Sequence, residues 1–117
     1  EVYPAILDCD ALVMICPNYN DAVSANLSAF INRLTALFNQ VRFYNKAVFA
    51  IVVSGYSGGD IVAKQVLGAL NMNKSFYLPA KFALFATAND PFSIEKIADI
   101  DAQAAAFAHN MLDQLKK

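Results

Sequence analysis

The chain has few of the side chains that build disulfide frameworks or metal centres. Its 117 residues include two cysteines and one histidine. Two cysteines are too few for a framework, and Cys16 ends an apolar run, where a free thiol most often acts as a small hydrophobic side chain. Because Cys9, Cys16 and His109 are not closely spaced, the sequence argues against a metal site.

Charge and long apolar runs are also scarce. Charged residues make up 16% of the chain, the net charge is −1, and the cations are scattered singly. A nucleic-acid partner would require clustered Lys and Arg. No apolar run approaches the roughly 20 residues of a membrane helix, and no signal peptide is visible at the acidic, proline-containing start. We therefore predict a cytoplasmic protein without a nucleic-acid or membrane partner.

The pattern that is present predicts a single α/β domain over residues 1–117, a common domain size. Apolar, strand-length runs at residues 11–16, 47–54 and 82–86 alternate with helical stripes. Residues 11–16 carry no charge, which is typical of a strand buried on both faces between helix layers. By the right-handed crossover rule, this order predicts a three-layer arrangement with a parallel sheet.

Three apolar stripes at helical period predict the main helices. The first helix follows Ser24, a residue typical of the N-cap position, and the second is predicted to be capped by Asp60. The last helix is predicted over residues 101–116. Its apolar side is predicted to comprise Ala105, Ala108, Met111, Leu112 and Leu115.

Two polar loops follow the first two predicted strands. They read PNYN at residues 17–20 and SGYSGG at residues 54–59. If the strands are neighbours, the loops lie side by side and offer backbone N–H groups, amides, hydroxyls and the rings of Tyr19 and Tyr56. Such a set suits a flat, hydrogen-bonding ring. Neither loop holds a carboxylate pair, and the single histidine lies far along the last helix, so the loops do not suit hydrolysis.

These loops carry a resemblance to a known family. The segment CPNYNDAVSANLSAFINRL resembles the flavodoxin-like NAD(P)H-dependent FMN reductases, in which a strand ends in a Pro-x-Tyr loop before a Leu-x-x-Phe-Ile-(Asp)-Arg helix. IVVSGYSGGD resembles the next strand and glycine-rich loop of that family. The resemblance spans about residues 6–72 and implies FMN as cofactor, with NADH or NADPH as electron donor. It implies that the flavin ring is lined by Pro17, Asn18, Tyr19, Asn20, Ser54, Gly55, Tyr56, Ser57, Gly58 and Gly59.

The resemblance covers only the later part of that fold. Nothing in the chain corresponds to the family's first strand, its phosphate-binding loop, its first helix or its second strand. We therefore expect an N-terminally truncated flavodoxin-like sheet in which the FMN phosphate has no evident site. Residues 11–16 would then form an exposed apolar edge, which we expect to pair with a second copy in a homodimer or with a missing N-terminal segment.

The sequence thus favours a flavoprotein oxidoreductase that transfers a hydride from a nicotinamide cofactor through FMN to an acceptor. No side chain need act as a catalytic acid or base, because the flavin carries the chemistry. The alternative is a non-catalytic α/β interaction module that binds through its apolar edge strand. A phosphate-binding receiver domain fits poorly, since Asp8 and Asp10 precede the first strand rather than follow one.

Overall fold

The computed structural model describes residues 2–39, 43–90 and 92–116, and within them three strands form one parallel sheet in the order β1-β2-β3. The strands are β1 (Ala11–Pro17), β2 (Ala47–Ser54) and β3 (Ala83–Thr87). The helices are α1 (Tyr3–Asp8), α2 (Ala25–Phe38), α3 (Gly59–Val66, continued by a π-helical segment, Leu67–Met72) and α4 (Ile100–Leu115), with a 3₁₀ turn at Ser93–Lys96. This confirms the α/β class and the parallel sheet.

The main core lies on one face of the sheet, where α1, α2 and α3 pack. Alternate residues of β1 and β2 point into it: Met14, Cys16, Val48, Ala50 and Val52. The predicted cap of α2 is confirmed, because the Ser24 hydroxyl accepts a hydrogen bond from the backbone N–H of Leu27 at 3.4 Å. Such a cap satisfies one of the free donors in the first helical turn.

The expectation that β1 is buried on both faces is wrong. On its second face Val13 and Ile15 are 37% and 65% exposed. The reason lies in α4, which among the described elements is the helix on that face and packs mainly on β2 and β3. Among the described residues, β1 also pairs only with β2, so its other edge is open.

The helix α4 turns only part of its predicted apolar side to the sheet. Phe107 is its buried side chain and meets Phe49 edge-on, with ring centroids 6.0 Å apart. Met111 and Leu115 pack beside it, as predicted. Three predicted core residues are instead exposed: Ala105, Ala108 and Leu112. In an alanine-rich helix more than one stripe is apolar, and the large Phe107 ring decides which stripe is buried.

Candidate functional site

The loops after β1 and β2 lie side by side at the carboxyl edge of the sheet. The two strands pair in parallel as far as Pro17 opposite Val53. Pairing extends one residue further, because the backbone N–H of Asn18 donates to the carbonyl of Val53 at 2.9 Å. The parallel register therefore brings the predicted loops together, and in open α/β sheets this edge is where ligands bind.

The first loop is a tight two-residue hairpin turn. Tyr19 and Ala22 pair in antiparallel fashion, and the N–H of Ala22 donates to the carbonyl of Tyr19 at 3.1 Å. The central residues Asn20 and Asp21 have φ values of 55° and 58°. Two consecutive positive φ values are the mark of a type I′ turn, and Asn and Asp tolerate this conformation better than other side chains. The turn holds Tyr19 outward, 62% exposed.

The side chain of Asn18 joins the two loops. Its Nδ2 donates to the carbonyl oxygen of Ser57 at 2.8 Å, and it lies 3.3 Å from Ser54 Oγ and 3.4 Å from Asp21 Oδ1. Its other polar atom, Oδ1, is buried and has no hydrogen-bond partner within the described ranges. A buried acceptor without a donor is rare and costs free energy, so such atoms often mark functional sites.

Gly58 allows Asp21 and Asn18 to pack directly on the second loop. Its φ is 91°, and a Cβ built there would lie 1.8 Å from Asp21 Oδ1 and 3.0 Å from Asn18 Nδ2. Gly58 is also the N-cap residue of α3, so the prediction that Asp60 caps this helix is wrong. Asp60 lies instead in the first turn, because glycine adopts the left-handed conformation that starts the helix two residues earlier.

A third loop, after β3, closes against the second. The N–H of Ala88 donates to the carbonyl of Ser54 at 2.8 Å, and Asn89 Oδ1 lies 2.7 Å from the position of a Cβ built on Gly55. Between the second loop and the end of β3 is a shallow cavity of about 220 Å³. It is lined by Ser54, Tyr56, Ser57, Gly59, Asp60, Phe85, Ala86 and Thr87.

The ten predicted site residues therefore occupy one edge of the sheet, although they differ in exposure. Asn18, Ser54, Ser57 and Gly58 are in contact, whereas Tyr19 and Tyr56 project into solvent, Tyr56 being 84% exposed. Pro17 ends β1, Asn20 lies in the turn, and Gly59 begins α3. Whether these residues bind a ligand stays a prediction.

Sequence reasoning missed three side chains at this edge: Asp21, Phe85 and Asn89. The Asn-Asp pair that follows Tyr19 is a turn signal, which could have identified Asp21. No comparable signal marked Phe85 or Asn89, because their approach to the second loop depends on the register of β3.

The electrostatics of the edge are simple. Burial raises the pKa of the Cys16 thiol, and a buried, neutral thiol is a poor nucleophile.

Within the described part of the chain, no cluster of three or more His, Cys, Asp or Glu side chains could hold a metal ion. No helix in that part is both long and apolar enough to cross a membrane.

Comparison with known proteins gives a family and a fold. The model of the NADPH-dependent FMN reductase family matches residues 1–90. No curated protein sequence matches the chain significantly.

Among solved structures, the Trp repressor binding protein from Bacillus subtilis matches 92% of this chain and 68% of its own, with a TM-score of 0.69 and 23% identity. The match to RosB, solved with bound 8-demethyl-8-formylriboflavin-5′-phosphate, covers 93% of this chain and 50% of the RosB chain, with a TM-score of 0.71 and 20% identity. The match to rubredoxin oxygen:oxidoreductase from Desulfovibrio gigas covers 94% of this chain and 25% of that protein's chain, with a TM-score of 0.61 and 17% identity. The chain thus spans half of the second protein and a quarter of the third. At these identities the likeness establishes the fold alone, and the predicted flavodoxin-like fold is confirmed.

Proposed function

The chain belongs to the NADPH-dependent FMN reductase family, and from this premise we propose that its first two carboxyl-edge loops hold the isoalloxazine ring of FMN. The bound flavin would supply the redox chemistry, accepting a hydride from NADH or NADPH and passing electrons to an acceptor. The loops at residues 17–20 and 54–59 would bind and orient the ring. The alternative of a non-catalytic interaction module has no support from the family or from the structural neighbours.

The observation that carries the proposal is the junction of the two loops through Asn18. Its hydrogen bond to the carbonyl of Ser57, at 2.8 Å, fixes the loops relative to each other before any ligand binds. A preformed surface loses less conformational entropy on binding than two independent loops would. The buried Asn18 Oδ1, which has no hydrogen-bond partner among the described residues, lies next to this junction.

The residues around the junction fit a flat ring. Gly58 has no side chain to block an approach to the backbone, and the exposed rings of Tyr19 and Tyr56 stand at the tips of their loops. Aromatic rings stack favourably on flat conjugated systems and exclude water from them. Backbone N–H groups of the loops would donate to the ring's nitrogen and oxygen atoms, so no side chain need transfer a proton.

Two further expectations remain proposals. The open edge of β1 and the exposed Ile15 support the expectation that another strand pairs there, from a second copy or from a further polypeptide segment. The cytoplasmic location expected from the sequence stays a prediction.

Titration of the 117-residue chain with FMN tests the proposal. We expect a shifted flavin absorbance spectrum and quenched flavin fluorescence, as stacking on tyrosine produces. Tyr19→Ala and Gly58→Val should abolish both changes. Tyr44→Ala is the matched control, since Tyr44 is 67% exposed and lies just before the amino end of β2, away from the loops.

An unchanged FMN spectrum in the presence of the wild-type chain would refute the proposal. So would equal losses in the Tyr19→Ala and Tyr44→Ala variants, because binding would then not involve the carboxyl-edge loops.

A further inference from the structure

The Asp21 carboxylate has a position that the proposed function does not yet explain. It lies at the centre of the type I′ turn and packs on Gly58, the N-cap residue of α3. Its Oδ1 lies 3.4 Å from Asn18 Nδ2, and no ion pair to Asp21 is found across the described residues. The junction of the two loops thus carries a carboxylate that forms no ion pair with any cation in the described part of the chain.

The start of α3 is a favourable place for negative charge. Backbone N–H groups and the helix dipole give a helix N-terminus a partial positive charge, which stabilises anions there. Asp21 lies against this terminus from the first loop, and Asp60 is in the first turn of the helix itself. Two carboxylates therefore already use the positive potential that a further anion at this site would need.

Reduction of a flavin held by these loops would place such an anion at the site. Transfer of a hydride to the neutral ring adds two electrons and one proton, so the ring gains one negative charge. The nicotinamide donor is oxidised in the same step and gains one positive charge. Because like charges repel and the helix terminus is already compensated, a reduced ring held beside Asp21 would bind less tightly than an oxidised ring.

Resting on the proposed function, we infer that Asp21 tunes the redox balance of this site by weakening the binding of reduced flavin relative to oxidised flavin. Asp21 acts through its negative charge and does not itself transfer electrons or protons. It makes the bound flavin a stronger reductant, which favours passing electrons on to an acceptor.

The experiment measures the reduction potential of FMN bound to the 117-residue chain by equilibration with a reference dye. Asp21→Asn is the test variant, because asparagine has the same shape and also tolerates a positive φ. Asp8→Asn is the matched control. Asp8 is an exposed carboxylate before the amino end of β1, and a seven-residue strand places the loops roughly 20 Å away from it.

We expect Asp21→Asn to increase the affinity for reduced FMN, relative to oxidised FMN, by about threefold to tenfold, as one charge at a partly solvated site does. A tenfold change corresponds to about 30 mV for a two-electron couple. The difference from wild type should shrink at 1 M salt, where the Debye length is about 3 Å. Asp21→Gly should shift the potential in the same direction, and Asp8→Asn should match wild type.

The outcomes separate this inference from the proposed function. If FMN binds and the potentials of wild type and Asp21→Asn agree, the inference is wrong and the proposed function stands. Equal shifts in Asp21→Asn and Asp8→Asn would also refute it, because the effect would then be one of net charge. If FMN binds to none of these proteins, the proposed function fails and the inference fails with it.

Discussion

Replacing Gly58 with alanine tests how the two loops are held together. The φ of 91° places Gly58 in the left-handed region, where a side chain costs about 1–2 kcal/mol. The new Cβ would lie 1.8 Å from Asp21 Oδ1 and 3.0 Å from Asn18 Nδ2. Asp21 must then turn away and the hydrogen bond from Asn18 to Ser57 is disturbed, at a cost of about 0.5–1.5 kcal/mol. We expect Gly58→Ala to lower the free energy of unfolding by about 1.5–3.5 kcal/mol.

Urea denaturation followed by circular dichroism measures this loss. Gly68→Ala is the matched control, because Gly68 lies in the π-helical segment with nothing within 4 Å of a built Cβ. Alanine in a helix is favoured over glycine by about 0.5–1 kcal/mol, so this variant should be as stable as wild type or more stable. The denaturant slope should stay the same in both variants, since neither changes the surface exposed on unfolding.

A double variant separates strain from packing. Asp21→Gly removes the carboxylate that the new Cβ would meet. In the double variant with Gly58→Ala, the free energy of unfolding lost to that clash should be recovered, and the loss caused by alanine at a positive φ should remain. We expect a coupling of about 0.5–1 kcal/mol between the two positions. The reasoning is wrong if the free energy of unfolding of Gly58→Ala lies within about 0.5 kcal/mol of the wild-type value. It is also wrong if the effects of the two substitutions on that free energy are strictly additive.

Three further predictions address the ligand, the open edge and the thiols. The 117-residue chain should bind riboflavin almost as tightly as FMN in parallel titrations, because the loops proposed to bind FMN are expected to hold its ring rather than its phosphate; a large preference for FMN would contradict this. Ile15→Lys should reduce self-association in sedimentation experiments, since a charge on an open apolar edge opposes strand pairing, and a wild-type chain that is already monomeric would count against pairing between copies. Iodoacetamide should label the half-buried Cys9 before Cys16, whose thiol is buried with a raised pKa; equally fast labelling in native protein, read by mass spectrometry, would show that the core is open at β1.

Local signals in the sequence were sufficient for the order of the elements. Pro17 lacks a backbone donor and fixes its own φ, and β1 ends at this residue. Ser24 caps α2 as its side-chain chemistry predicts. The third strand lies one residue later than predicted, at Ala83–Thr87, because propensity defines the ends of a strand less sharply than its centre.

The faces of the elements could not be predicted in the same way. Whether Ile15 is buried depends on the position of α4, more than 80 residues later in the chain. Which face of α4 packs on the sheet depends on the contact between Phe107 and Phe49. Periodicity reports that an apolar stripe exists, but it contains no information about which neighbour covers that stripe.

The candidate site shows the same division between local and long-range causes. The residue types that favour positive φ, Asn20, Asp21 and Gly58, are visible in the sequence as turn formers. The contact between Asp21 and Gly58 is not visible in the sequence, because it is the parallel register of β1 and β2 that brings the two residues together. A surface built in this way depends more on backbone conformation than on side-chain identity. Changes of φ at Gly58 should therefore alter stability and flavin binding together, whereas removing the charge of Asp21 in the isosteric asparagine variant should act mainly on the binding of reduced flavin relative to oxidised flavin.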